Sequence, residues 1–315
     1  MAINFQTTEK RFDPDTHYAV AMQPPPAYTH HITRRYLDVP YTPFAERSLS
    51  HTLDIYLPDE GEGPFPVILS FHGGAFMGCD KADMQLLPML EGLQRGYAVV
   101  AANYRLSWEA TFPALVQDAK AAVRWVRGNA KWYYFDPERI AAWGGSAGGY
   151  LSTMLGVSDG IAELEDLSLG NPDKPSNVQV VVDWFGPTDF LKMDEQLTAN
   201  GLAPLEGMEH SGEDSPESWL LGSKITEIPE LVEAANPETY IRENAAHFLI
   251  QHGVVDFTVP VQQSIGLAEK LKRVCGEKRA TLELFDGFEH GDRRFDSPVN
   301  VKRVLDFIDL QLKYT

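Results

Sequence analysis

Between residues 65 and 313, short apolar runs alternate with helix-length patterns, and that rhythm constrains the fold more than any other feature of the chain. "FPVILSF" (65–71) is continuously apolar, as a strand covered on both faces must be. A helical pattern over 85–95 leads to the strand "YAVVAANY" (97–104). Leu115, Ala119, Ala122 and Val126 then recur at helical spacing between Pro113 and Gly128. "RIAAWG" (139–144) reads as a strand running into a helix over Ser146–Leu155, and "VQVVVDWF" (178–185) as the next strand. "HFLIQHG" (247–253), a helix from Val261 to Cys275, "ATLELF" (280–285) and an apolar-striped helix over 299–313 complete the series. "ITRRYLDV" (32–39) and "HTLDIYLP" (51–58) read as an early hairpin pair. The sequence therefore predicts an α/β fold, a mostly parallel central sheet of about eight strands with helices on both faces. In such a sheet the loops at the C-terminal ends of the strands carry the function.

Two segments break the rhythm. Residues 1–30, with "QPPPAY", read as an irregular N-terminal arm ahead of one domain over 31–315. Within that domain, about 187–245 is rich in proline and short helical pieces and reads as a small cap-like insertion between two sheet strands. The net charge is −18, and residues 157–240 hold 18 Asp or Glu against 3 Lys and no Arg. Such a balance argues against nucleic acid or an anionic membrane as partner, and the acidic stretch reads chiefly as a solvated surface. No apolar run approaches the length of a membrane span, and charges stand where a signal peptide needs its apolar segment. A cytoplasmic location is the expectation. Cys79 and Cys275 have neither metal-knuckle nor redox spacing and read as free structural thiols.

The chemistry centres on Gly144-Gly145-Ser146-Ala147-Gly148, a G-x-S-x-G pattern with a strand before it and a helix after it. A sharp strand-to-helix turn presents the serine hydroxyl, and small residues two before and two after it let the bent backbone pack. A serine needs a base, an orienting acid and an oxyanion site to act as a nucleophile. "SFHGGAFMG" (70–78), directly after the strand "FPVIL", supplies candidate oxyanion donors in the N–H groups of Gly74 and Ala75, with Gly73 as the alternative. The third donor is Ala147, the residue after the serine. For the acid, Asp256 follows the strand "HFLIQHG", with Asp183, Asp189 and Asp286 as rivals. For the base, His290 follows the last strand in a glycine-flanked loop, whereas His72 and His252 read as structural groups at strand ends. The order Ser146, Asp256, His290 is that of α/β-hydrolases and differs from the chymotrypsin and subtilisin orders. Phe76 and Trp184 flank these loops and are candidate substrate contacts.

Together "FHGGAF", "GGSAGG", "HGVVDFTVP" and "EHG", with "ANYRLS", "FPALVQDAKAAVRWVR" and "DWFGPTDF", resemble the α/β-hydrolase superfamily. More narrowly, the chain is similar to bacterial esterases of the acetyl-xylan/feruloyl-esterase (BD-FAE-like) and hormone-sensitive-lipase-like type, over roughly residues 35–313. Two positions depart from the pattern: Ala75 stands where a third glycine is usual, and Gly145 where hormone-sensitive-lipase relatives carry Asp. The second departure favours the acetyl-xylan and feruloyl branch. The resemblance implies cofactor-free hydrolysis of small-molecule esters with short or aromatic acyl groups, acetyl or feruloyl on sugars, through an acyl-enzyme. An arylformamidase-like amidohydrolase is the nearest alternative, and a non-catalytic binding protein on the same fold a more distant one. A homodimer is compatible with either.

Overall fold

The computed structural model describes residues 24–43, 48–202, 204 and 209–313. Within them run strands β1 (Arg35–Pro40), β2 (Thr52–Tyr56), β3 (Phe65–Phe71), β4 (Ala98–Ala102), β5 (Phe135–Gly145), β6 (Val180–Trp184), β7 (His247–Gly253) and β8 (Ala280–Phe285). They pair into one sheet in the order β1-β2-β4-β3-β5-β6-β7-β8. The early hairpin pairs antiparallel, as does β2 with β4; every later pair is parallel.

The continuous apolar runs have their cause in two cores, one on each face. Val67, Leu69 and Phe71 of β3 face one core and Ile68 the other; Val100 and Val99 of β4 divide in the same way. The first core is closed by α1 (Ala114–Gly128), α2 (Ala147–Val157) and α6 (Gln262–Cys275), the second by α7 (Pro298–Leu312) and the turns around Leu86 and Met89. A side chain on either face of a central strand thus leaves water, which is why alternation with polar residues is missing there.

The helix expected over 85–95 is instead broken into a 3-10 turn (Met84–Leu86), one α turn (Leu87–Leu90) and a second 3-10 turn (Glu91–Arg95). Pro88 has no N–H to continue the ladder, so a regular helix fails there. The segment between β6 and β7 contains α3 (Met193–Ala199), α4 (Pro216–Leu221) and α5 (Pro229–Ala235). Phe190, Met193, Leu220, Ile225 and Val232 join the first core, so it packs on that face of the molecule. Buried Gln263 of α6 fastens its beginning, accepting the N–H groups of Thr188 and Asp189 at 2.7 Å each. Of the N-terminal arm, residues 1–23 lie outside the described residues. Pro26 forms a bridge with Asp83, and Ala27 N–H donates to Ala82 at 2.8 Å, so the arm's last residues lie along the loop after β3.

The chain turns back on itself at β3. β4 lies on one side of it and β5 on the other, so the loops leaving β3 and β5 face a crevice where the strand order reverses. Gly73–Ala75 leave β3 there, and Ser146 leaves β5.

Candidate active site

Ser146 stands at the junction of β5 and α2 with φ 55° and ψ −122°, a conformation that L residues rarely adopt. Its N–H donates to Trp184 O at 2.9 Å, which hooks the turn to the end of β6. The flanking glycines have a direct steric cause. A Cβ on Gly144 would lie 2.4 Å from the Gly148 carbonyl carbon, and one on Gly148 would lie 2.1 Å from Phe71 O. Backbone meets backbone at both places, so no rotamer could relieve the contact.

His290 reaches Ser146 from the loop after β8. Its Nδ1 lies 2.7 Å from Asp256 Oδ2, and its Nε2 lies 3.0 Å from Ser146 Oγ. A carboxylate only accepts, so Nδ1 carries the proton and Nε2 presents its lone pair to the hydroxyl. Asp256 is itself held from four sides. Oδ1 accepts the N–H groups of Thr258 and Val259, both at 2.8 Å. Oδ2 faces His290 and also, at 3.2 Å, Nε2 of the fully buried His252. That nitrogen also donates to Val259 O at 2.9 Å, while the Ser264 hydroxyl donates to Nδ1 at 2.6 Å, so His252 is fixed as the Nε2–H tautomer. Burial alone would raise the Asp256 carboxyl, but the pull of His290 and the bonds from both histidines hold it well below the usual carboxylate range.

The rival acids are placed elsewhere. Asp183 is fully buried beneath the start of α2, where its Oδ1 accepts Gly186 N–H at 2.9 Å. Burial pushes its carboxyl up to about 6, only partly offset by that N–H and by His252. Asp189 pairs with Lys192 at 2.7 Å, and Asp286 is exposed. His72, at the end of β3, stacks on Tyr104 with ring centroids 4.5 Å apart and donates from Nδ1 to Gly73 O at 2.7 Å. Neither Cys79 nor Cys275 is in a disulfide; burial pushes the Cys79 thiol up to about 12, outside the range of a nucleophile at neutral pH.

The loop after β3 coils through three consecutive left-handed residues, Gly74 (φ 113°), Ala75 (φ 53°) and Phe76 (φ 64°). The N–H of Gly73 is taken by Gln85 Oε1 at 2.9 Å, which removes Gly73 from the candidate oxyanion donors. Those of Gly74, Ala75 and Ala147 have no acceptor among the described residues. Gly73, Gly74, Ala75, Ser146 and His290 border one cavity of about 550 Å³, walled on its apolar side by Trp184, Phe185 and Phe295. Phe76 does not border it. The coiled loop buries its ring edge-on to Tyr150, centroids 5.4 Å apart, and beside Phe190, so Phe76 is a core residue and not a substrate contact.

Three contributors escape the sequence patterns. Gln85 pins the loop after β3, Phe185 packs edge-to-face on the His290 ring at 4.8 Å, and His252 braces Asp256. Phe185 was legible only as an aromatic beside a site loop, and nothing in the local sequence separates His252 from His72.

A crevice at a strand-order reversal, met by serine, acid and histidine in that chain order, defines an α/β-hydrolase. The comparisons narrow this. The family model BD-FAE matches residues 53–271, from the start of β2 to the end of α6's apolar stripe, and the chain belongs to that family. The probable carboxylic ester hydrolase LipM of Mycobacterium tuberculosis is 31% identical over 244 residues, covering 76% of this chain and 53% of that protein. The chain thus spans about half the length of the curated relatives it matches. A truncated carbohydrate esterase from gut microbiota is 31% identical with a TM-score of 0.79, covering 91% of this chain and 99% of that one. Esterase 2 of Thermogutta terrifontis with bound propionate shares the fold, at 24% identity and a TM-score of 0.68, over 90% of this chain and 96% of that one.

Proposed function

We propose that the protein is a serine carboxylesterase that removes short or aromatic acyl groups, acetyl or feruloyl, from sugars. The observation that carries this reading is the unbroken chain Asp256–His290–Ser146 closing on a cavity of about 550 Å³. His290 Nε2 takes the Ser146 proton as Oγ attacks the ester carbonyl, and Asp256 stabilises the imidazolium that forms. The tetrahedral oxyanion is received by the N–H groups of Gly74, Ala75 and Ala147, which have no acceptor among the described residues. His290 returns the proton to the departing alcohol, and water then repeats the sequence on the acyl-enzyme. Trp184 and Phe185 form the apolar wall for the acyl group. The carbohydrate esterase, matched along almost its whole length, supports a sugar as the alcohol.

The test is a substrate panel of acetylated xylooligosaccharides, feruloyl esters, short p-nitrophenyl esters and N-formylkynurenine, with Ser146→Ala as control. The variant should lose on the order of 10⁶ in turnover. Undiminished hydrolysis by Ser146→Ala would refute the mechanism. Preference for N-formylkynurenine over every ester would refute the substrate class in favour of an amidohydrolase.

A further inference from the structure

A second cavity, of about 660 Å³, lies on the far side of the loop after β3. Gly73–Ala75 border the catalytic cavity, Met77–Asp80 border this one, and Pro24 borders both. Ala75 and Met77 are two residues apart, a span of at most about 7 Å, so the two cavities share one thin wall. We propose that this second cavity binds the sugar unit next to the acylated one, so that the enzyme reads at least two units of a glycan ester. The inference rests on the carbohydrate-ester reading above.

The lining determines what can bind. Its deep side offers acceptors. Asp80 Oδ2 is held by Asn103 Nδ2 at 2.8 Å, Asp83 Oδ1 by Gln85 N–H at 2.9 Å, and Glu109 Oε2 by Leu106 N–H at 2.9 Å. Ala82 N–H on Asp80, Asp80 N–H and Gln85 Nε2 on Asp83, and the Ser48 and Ser50 hydroxyls on Glu109 fix the carboxylates further, and each keeps at least one lone pair for another donor. His72, only 4% exposed, borders the cavity; its Nδ1–H is spent on Gly73 O, so its Nε2 is an acceptor, and it has no partner among the described residues. The rim is apolar: the Trp108 indole, 45% exposed, makes no ring contact or hydrogen bond among the described residues, and Leu49 beside it is 69% exposed. Fixed acceptors repel an anionic ligand and ask for one rich in donors, while an exposed indole face asks for a flat, weakly polar one. A pyranose ring satisfies both, with hydroxyls towards the carboxylates and its C–H face on the indole. Its size suits the volume, which is within the range of ordinary ligand sites.

The experiment measures kcat/KM for an acetylated xylotetraose and for p-nitrophenyl acetate in the wild type, Trp108→Ala and Trp108→Phe. The ratio of the two constants should fall about tenfold in Trp108→Ala and be largely restored in Trp108→Phe. Ser146→Ala should bind unacylated xylotetraose with quenched tryptophan fluorescence, and the Ser146→Ala/Trp108→Ala double variant should lose that signal. An unchanged ratio with no quenching overturns the second subsite while leaving the esterase reading standing. If the wild type cleaves p-nitrophenyl acetate but no carbohydrate ester, the substrate reading fails and this inference with it. Acetylcholine cleaved better than the acetylated xylotetraose, with the preference lost in Trp108→Ala, overturns the sugar in favour of a cationic alcohol.

Discussion

Replacing Asp256 by Asn exchanges one oxygen for an amide nitrogen, and the surroundings dictate the outcome. Two backbone N–H groups, of Thr258 and Val259, point at Oδ1 from 2.8 Å each. They hold the amide oxygen on that side, so the NH₂ must face His290 Nδ1, where the carboxylate oxygen stood 2.7 Å away. An NH₂ can only donate. His290 then carries its proton on Nε2, towards Ser146 Oγ, and has no lone pair to receive the serine's proton. The opposite flip sets the NH₂ against both backbone donors in a site that is 1% exposed, at a cost of about 1–3 kcal/mol for each group left unsatisfied. Either way the base is disabled. The expected loss is about 10⁴ in kcat, or roughly 5.5 kcal/mol of transition-state stabilisation, with little change in KM. The new NH₂ also confronts Nε2–H of His252, a donor facing a donor, so a lower melting temperature accompanies the loss. Steady-state hydrolysis of p-nitrophenyl acetate between pH 6 and 9, the rate of fluorophosphonate labelling and a thermal melt measure these together. A folded Asp256→Asn protein within tenfold of wild-type kcat would refute the assignment of the acid.

Two further outcomes follow from steric and electrostatic detail. Gly148→Ala places a methyl 2.1 Å from Phe71 O and 2.8 Å from His72 O, so the loop into Gly74 and Ala75 must shift; we expect at least about 3 kcal/mol lost in chemical denaturation and activity lost with it, and a variant of wild-type stability would contradict the packing. Burial raises the Asp183 carboxyl to about 6 in the folded chain, above its value in the unfolded one, so the stability tied to its proton is present at acidic pH and lost as pH rises from about 4 to 6. Asp183→Asn keeps the acceptor for Gly186 N–H and should become more stable than wild type across that window, by about 3 kcal/mol above it; a stability difference that does not change with pH would show that the carboxyl is not perturbed.

What the sequence reveals of this fold depends on how local the cause is. β3 can be read residue for residue because burial on both faces demands an unbroken apolar run, and "FPVILSF" satisfies it. Gly144 and Gly148 are legible because the turn they flank is built within five residues. The serine, acid and histidine emerge from their positions after successive strands. Phe76 shows the limit: it directly follows the oxyanion candidate Ala75, yet backbone coiling sends its ring into the core against Phe190, 114 residues further along. His252 and His72 share the same local signature, a histidine before glycine at a strand end. Only the pairing of β6 with β7 and the return of the 254–261 loop decide that one braces an acid while the other stacks on Tyr104. The segment over 85–95 misleads because helical spacing outweighs a single proline in the pattern, but not in the backbone.

The hydrogen bond from the Ser146 hydroxyl to His290 joins positions 144 residues apart, and the serine's own N–H is anchored on a third strand, β6. No contiguous stretch of chain contains a working set of groups. Catalysis is therefore an assay of assembly: a folding intermediate with β3 to β6 in place and β7 and β8 still undocked would show most of the native helix and strand signal and hydrolyse nothing. Recovery of activity during refolding should accordingly lag behind recovery of secondary structure, and the lag reports how late the last third of the chain joins the sheet.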